Sequence, residues 1–348
     1  MLLIFFIFFF TSCRIRRSKK KLRFQTFALE GRGGRYCTIT DNKTFIFLML
    51  MAAEATFFRV DNALNISWPR AVPHVYLPDL PLMHTALDRM RTVPEEKATM
   101  RRFMHVFRTV CRVASGGVFV DSGANEGTWS LLAAAHGCTA IAIEPQPYCA
   151  RLINSAAEHS GIAGRLQLHT KVYADVTISK TSPMSPRPCV PLDTCRGTAS
   201  YSKGVVSDIR DTRFSVRRHT ECLVVPFVTL DGLLPAGGNA TPSVELWHLD
   251  VEGAELAALR SARRLLAERR IRRVMMEVDS MQRWRLNVAS RMTIDETLAE
   301  VRAIFEGWRC TTACDGSAYA FPSHFRWGGP AQCPNVYCVA PGVDLQGV

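Results

Sequence analysis

From about Leu82 onward the apolar positions of this chain change period in a regular way. Helical spacing comes first: a short helix up to Met90, a break at Pro94, then Glu95 to Cys111 with Met100, Phe103, Val106, Phe107 and Val110 on one face. A compact apolar run, Gly116 to Asp121, then reads as a buried strand and is followed by a helix over "TWSLLAAAH". Strand Thr139 to Glu144, helix "QPYCARLINSAAEHSG" and strand "RLQLHTKVYA" continue the alternation. Strand, helix, strand, helix at this spacing predicts an α/β fold with a doubly wound, mostly parallel sheet.

Residues 178 to 218 carry no apolar period and read as a surface insertion containing Cys189 and Cys195, which pair with each other or remain thiols. Order returns with a strand in Cys222 to Leu234 and another in Ser243 to Asp250. A helix over Glu252 to Ala267 and a strand "IRRVMMEVD" follow. Thr293 and Glu296 form a capping-box pattern that starts a helix running to Cys310, and Val336 to Val339 supplies a last strand. Residues 82 to 345 are therefore expected to form the catalytic or binding domain, and residues 1 to 81 an N-terminal leader.

The leader holds two apolar runs, Leu2 to Phe10 and Phe45 to Ala53. The first is about half the roughly 20 residues that a helix needs to cross a bilayer. As an anchor it would give membrane association with a cytosolic domain, because cations follow it at Arg14 to Arg23. The sequons at Asn42, Asn65 and Asn239 point instead to a secretory lumen. A poorly ordered leader, or translated sequence upstream of a later start, is the other reading.

Charge changes the picture little. The chain has 43 Lys+Arg against 31 Asp+Glu, a formal net charge of +12. Much of the excess sits in the leader and across Arg260 to Arg273, at a helix end where cations suit the dipole. No basic patch interleaved with aromatics is present, so no nucleic-acid partner is expected. The 12 cysteines leave the compartment open. Cys310-x3-Cys314 and Cys333-x4-Cys338 have metal-ligand spacing, but Cys338 lies in an apolar strand, so thiols or disulfides are expected and no metal site.

The candidate chemistry lies in "FVDSGANEGTWSLL". Asp121 ends the first strand of the sheet, where ligands bind in parallel α/β folds. Gly123 and Gly127 let the backbone turn tightly, and the next helix offers its free N–H groups. Glu144 ends the second strand about 23 residues on, where a strand-end carboxylate reaches ribose hydroxyls in nucleotide-binding sheets. The spacing is not G-x-G-x-x-G, and an acid in the loop would repel a pyrophosphate but suit a cationic amine. S-adenosylmethionine combines such an amine with a ribose and an adenine.

Three segments, "FVDSGANEGTWSLLAAAHG", "IAIEPQP" and "LDVEGAELAALRSA", resemble the FkbM-type S-adenosylmethionine-dependent methyltransferases, from about Val118 to Val339. The resemblance implies a Rossmann-like class I methyltransferase fold. It also implies that Asp121, Gly123, Asn125 and Gly127 surround the methionine part of the cofactor and Glu144 the ribose. His248 stands where the family usually has lysine, two residues before Asp250. His248 and Asp250 share a strand face and are the candidate bases for a hydroxyl acceptor, a sugar or another small or glycan molecule. Glu277 and Asp279 are candidates for the acceptor pocket. The alternatives are a nicotinamide-dependent oxidoreductase, against which the missing third glycine counts, and a non-catalytic S-adenosylmethionine-binding module.

Overall fold

The computed structural model describes residues 57–60, 72–79, 81–111, 117–173, 226–234, 243–278, 293–321 and 335–343. It also describes short strands at 13–16, 27–31, 36–39, 189–191, 199–200, 207–208 and 222–224, and Cys195. The chain divides into two compact units, Met1–Thr56 and Phe57–Val348.

Among the described residues of the second unit, seven strands form one sheet. They are β1 (Val118–Ser122), β2 (Thr139–Ile143), β3 (Leu166–His169), β4 (Val244–Leu249), β5 (Arg273–Glu277), β6 (Arg309–Thr312) and β7 (Asn335–Val339). The spatial order is β6-β7-β5-β4-β1-β2-β3. β1 to β5 are parallel, and β7 runs antiparallel to both β5 and β6. The order reverses at β1, so its carboxyl end, between β2 and β4, is the switch point where a crevice opens.

Helices α1 (Pro81–Thr92), α2 (Pro94–Val110), α3 (Thr128–Ala135), α4 (Pro147–His159), α5 (Glu255–Ser261), α6 (Arg263–Ala267) and α7 (Ile294–Ile304) cover the sheet. Strand alternation divides the core into two layers. Val118, Val120, Trp247, Leu249, Val274 and Met276 pack with Leu256, Leu259, Leu265, Val301 and Phe305 of α5 to α7 and the residue after them. Phe119, Leu246 and Met275 pack on the other side with Phe103 and Phe107 of α2 and Leu131 and Leu132 of α3. This explains why β1, buried on both faces, is apolar without interruption until Asp121.

The elements depart from the sequence reading at five places. The expected helix over 252–267 begins only at Glu255, because Glu252 and Gly253 have φ of 54° and 100°, and it is interrupted at Ala262, whose φ of -114° and ψ of 17° leave the helical range. The helix from the Thr293 capping box stops at Ile304; Gly307, at φ 75°, turns the chain, and Cys310 enters strand β6. The run 165–174 is split, with Val172–Tyr173 pairing instead with Phe227–Val228. In the stretch assigned to the leader, Phe57–Arg59 pairs with Tyr76–Pro78, and the Tyr76 N–H donates to the Ser160 hydroxyl just past α4. The insertion also has strands: Cys189–Pro191 pairs with Cys222–Val224, and Ala199–Ser200 with Ser207–Asp208.

The first unit contains an antiparallel sheet of Cys13–Arg16, Phe27–Gly31 and Tyr36–Ile39. The run Leu2 to Phe10 and the three sequons lie outside the described residues. Among the described residues no helix is long and apolar enough to cross a membrane.

Disulfides join Cys111 to Cys138, Cys149 to Cys195 and Cys310 to Cys338. Cys310 and Cys338 lie directly opposite each other in β6 and β7, so the metal reading of that spacing gives way to a cross-strand bridge. Cys195 pairs with Cys149 at the start of α4 rather than with Cys189, a connection between distant elements that local spacing could not supply.

Candidate active site

At the carboxyl end of β1 two side-chain chains run on opposite faces of the sheet, as alternation requires. On one face Asp121 is the cross-strand neighbour of His248, and its Oδ1 lies 2.8 Å from His248 Nδ1. The Ser130 hydroxyl of α3 donates to Asp121 Oδ2. Asp121 is 0% exposed, so the carboxylate is fully engaged inside the protein. His248 sits edge-on to the Phe103 ring, with centroids 5.1 Å apart, and to Trp129 at 6.4 Å. With Nδ1 given to Asp121, the ring's other nitrogen, Nε2, is the one left to exchange a proton. On the opposite face the Trp247 indole donates to the Ser122 hydroxyl at 2.7 Å, and Ser122 bonds Tyr173, whose phenol burial pushes up.

The loop from Gly123 to Gly127 crosses the top of β1. Its N–H groups at Gly123 and Ala124 both reach the Ile143 carbonyl at the end of β2. A Cβ on Gly123 would lie 1.7 Å from the Asp250 carbonyl oxygen, and one on Gly127 would lie 2.6 Å from Ile153. These glycines therefore let the loop pack against the turn after β4 and against α4, in addition to the freedom their positive φ requires. Asn125, at φ 52°, completes the left-handed turn.

Glu144 is 3% exposed and holds this loop to the next one. Its Oε2 accepts from the Asn125 N–H at 2.8 Å, and its Oε1 accepts from the Gln146 N–H at 2.8 Å and side-chain amide at 3.1 Å. Burial outweighs these bonds and raises its pKa to about 7. Asn125 Oδ1 lies 3.2 Å from the Cys195 sulfur, so the disulfide brings the insertion directly against the loop.

Glu126 escaped the sequence reading. It is 6% exposed, and the Thr128 hydroxyl lies 3.4 Å from its Oε1. Its Oε2 is buried without a hydrogen-bond partner, and burial raises its pKa, with Asp121 adding to the shift. A second acid within the loop was the available signal.

Across the crevice, the Asp250 N–H donates to the Ser122 carbonyl, which fixes the turn after β4 against β1. Glu255 folds back so that its Oε1 accepts from the Val251 and Gly253 N–H groups, and burial raises its pKa to about 7. Asp250, Glu252 and Glu277 are partly exposed, and one oxygen of each lies within 4.8 Å of the others, close enough for one hard cation to bridge. Asp279 lies outside the described residues. The structure thus brings together Asp121, Gly123, Asn125, Gly127, Glu144, His248 and Asp250 at the carboxyl edge of the sheet, with Glu277 at the end of β5 beside β4.

A doubly wound parallel sheet with β7 inserted antiparallel, and an acidic glycine loop over its switch point, define a Rossmann-like class I methyltransferase fold. The chain belongs to the family of the methyltransferase FkbM domain, which matches residues 121–310, more than half of its length. Solved structures similar to it include the O-methyltransferase TomG from Streptomyces achromogenes, in complex with SAM: 11% identity over 74% of this chain and 96% of that one, TM-score 0.34. A SAM-dependent methyltransferase from Agrobacterium tumefaciens is 14% identical over 40% of this chain and 37% of that one, TM-score 0.24. The bifunctional kinase-methyltransferase WbdD is 11% identical over 81% of this chain and 46% of that one, TM-score 0.36. No curated protein matches the chain in sequence.

Proposed function

We propose that this protein transfers a methyl group from S-adenosylmethionine to a hydroxyl of a sugar or another small or glycan acceptor. Membership of a methyltransferase family sets aside the dehydrogenase alternative. The residues present fit such a cofactor: a buried carboxylate oxygen awaiting a donor in the Gly123–Gly127 loop, and a second carboxylate at the next strand end. When bound, S-adenosylmethionine supplies an electrophilic methyl on a sulfonium.

The observation that carries the reading is the 2.8 Å contact between Asp121 Oδ1 and His248 Nδ1. A hydroxyl is a poor nucleophile until its proton leaves. His248 Nε2 takes that proton as the new C–O bond forms, and Asp121 holds the ring's orientation and balances the imidazolium charge. Asp250 and Glu277 line the open side, where they accept hydrogen bonds from further hydroxyls of the acceptor. This arrangement also suits the substitution of histidine at the position usually held by lysine, since an imidazole nitrogen can accept a proton whereas an ammonium only donates.

The disulfides support an oxidising compartment for this domain. Alkylation of the natively folded protein before and after reduction checks this, and modification of Cys310 and Cys338 without reductant would remove the support.

Calorimetry with S-adenosylhomocysteine, followed by methyl transfer to a panel of simple glycans, tests the function. His248→Gln is expected to lower turnover by about 100-fold or more with S-adenosylhomocysteine affinity little changed. Unchanged turnover removes His248 from the chemistry. Binding of S-adenosylhomocysteine with no transfer to any hydroxyl would favour the non-catalytic module.

A further inference from the structure

We infer that Glu126 is the carboxylate that receives the α-ammonium group of the methyl donor's amino-acid part, and that Asp121 acts one step back, as the positioning residue of His248. The assignment rests on the cofactor reading above and moves the amine-binding role away from the residue to which the loop pattern first gave it.

Three carboxylates surround the Gly123–Gly127 loop, and they differ in what remains free on each. Asp121 is 0% exposed, and its two oxygens are taken by His248 and Ser130. Glu144 accepts three N–H bonds from Asn125 and Gln146. Glu126 has one oxygen, Oε2, buried without a hydrogen-bond partner among the described residues, where no arginine or lysine pairs with it either. A buried acceptor left unbonded has lost its hydration with no bond in return, and a charged one loses more. A structural role gives no return for that cost. A ligand that brings a donor does.

The chemistry of the missing donor is constrained. Burial and the nearby Asp121 carboxylate raise the Glu126 pKa, and Glu126 in turn adds to the rise at Glu144, so the loop concentrates negative potential. Such a site selects a cation that carries N–H groups. Within the proposed cofactor the sulfonium has no N–H and the ribose hydroxyls have no charge. The primary ammonium has both. Glu126 would thus orient the amino-acid end, while Glu144 and the turn it anchors face the nucleoside end.

The test compares two nucleosides by calorimetry against the wild type and Glu126→Gln. S-adenosylhomocysteine carries the ammonium, and 5′-methylthioadenosine keeps the ribose and adenine but lacks the amino-acid part. The variant is expected to bind S-adenosylhomocysteine at least tenfold more weakly and 5′-methylthioadenosine within twofold of wild type. It should also melt higher than wild type without ligand, because the unpartnered charge is gone. Equal weakening of both nucleosides would mean that Glu126 holds the ribose or the loop, and unchanged S-adenosylhomocysteine affinity would mean that it holds nothing. Either outcome overturns the assignment, as does a lower melting temperature with both affinities retained. If Glu126→Gln does not fold, Glu126→Asp is read by the same ratio, with the same expected selective loss. A wild-type protein that binds neither nucleoside overturns the cofactor reading itself, which separates the two failures.

Discussion

The two sides of the crevice are built differently. On the β1 and β2 side, Asp121, Glu126 and Glu144 are all buried; Asp121 is tied by hydrogen bonds to β4 and α3, and Glu144 to the loops after β1 and β2. On the β4 and β5 side, Asp250, Glu252 and Glu277 remain partly exposed. Buried groups fixed by short bonds are organised before any ligand arrives, whereas exposed carboxylates adjust to what approaches them. The contrast divides the labour: the dry side suits a ligand that is the same in every turnover, and the wet side suits an acceptor with several hydroxyls.

The sharpest way to break this contrast is at the seam between the sides. Gly123→Ala sets a methyl group 1.7 Å from the Asp250 carbonyl at a φ of 79°, and should cost about 5 kcal/mol or prevent folding, as read by urea denaturation. His248→Ala comes next. It leaves Asp121 buried with one partner and should cost about 4 kcal/mol in the same measurement.

Titration provides a third test. Glu144 and Glu255 have pKa values raised by burial to about 7 from 4.5. At these two groups the folded state then binds more protons than the unfolded one between these values, so their contribution to stability is greatest below about 4.5 and is lost as pH rises to about 7. Each group contributes on the order of 3 kcal/mol to the fall. Glu144→Gln should remove its share of the pH slope, and an unchanged slope would show that its proton is not held as burial demands. The smallest effect belongs to the wet side: Glu277→Gln should change stability by less than about 0.5 kcal/mol. A loss comparable with that of His248→Ala would erase the distinction between the two sides.

Much of the fold is legible in local periods. The buried run of β1, the capped start of α7 at Thr293 and the strand-helix rhythm through α4 are set by residues within one or two turns of each other. The signals that failed were also local. Apolar spacing ran past Gly307, so the first two residues of β6, Arg309 and Cys310, were read as helix, and Glu252 and Gly253 resembled a helix start although their positive φ forbids it. The hairpin of Phe57–Arg59 with Tyr76–Pro78 was hidden because neither short strand has a period long enough to register.

The site follows the same division. Asp121, Glu144, His248 and Asp250 are recognisable as strand-end residues, and their convergence follows from parallel register. Their partners are not recognisable in this way. The Asp121 and His248 contact joins residues 127 positions apart, and the Cys149–Cys195 bridge spans 46. Such pairings depend on which strand lies beside which.

The order of apolar and polar residues was sufficient to determine that a parallel sheet forms and that acids and glycines gather at its carboxyl edge, because period and turn chemistry act over a few residues. Only the folded chain decided what each acid does there. Asp121 is bonded at both oxygens by His248 and Ser130, while Glu126 keeps a buried oxygen without a hydrogen-bond partner among the described residues. That difference arises from which distant groups reach each carboxylate once the strands have paired, and no spacing along the chain records it.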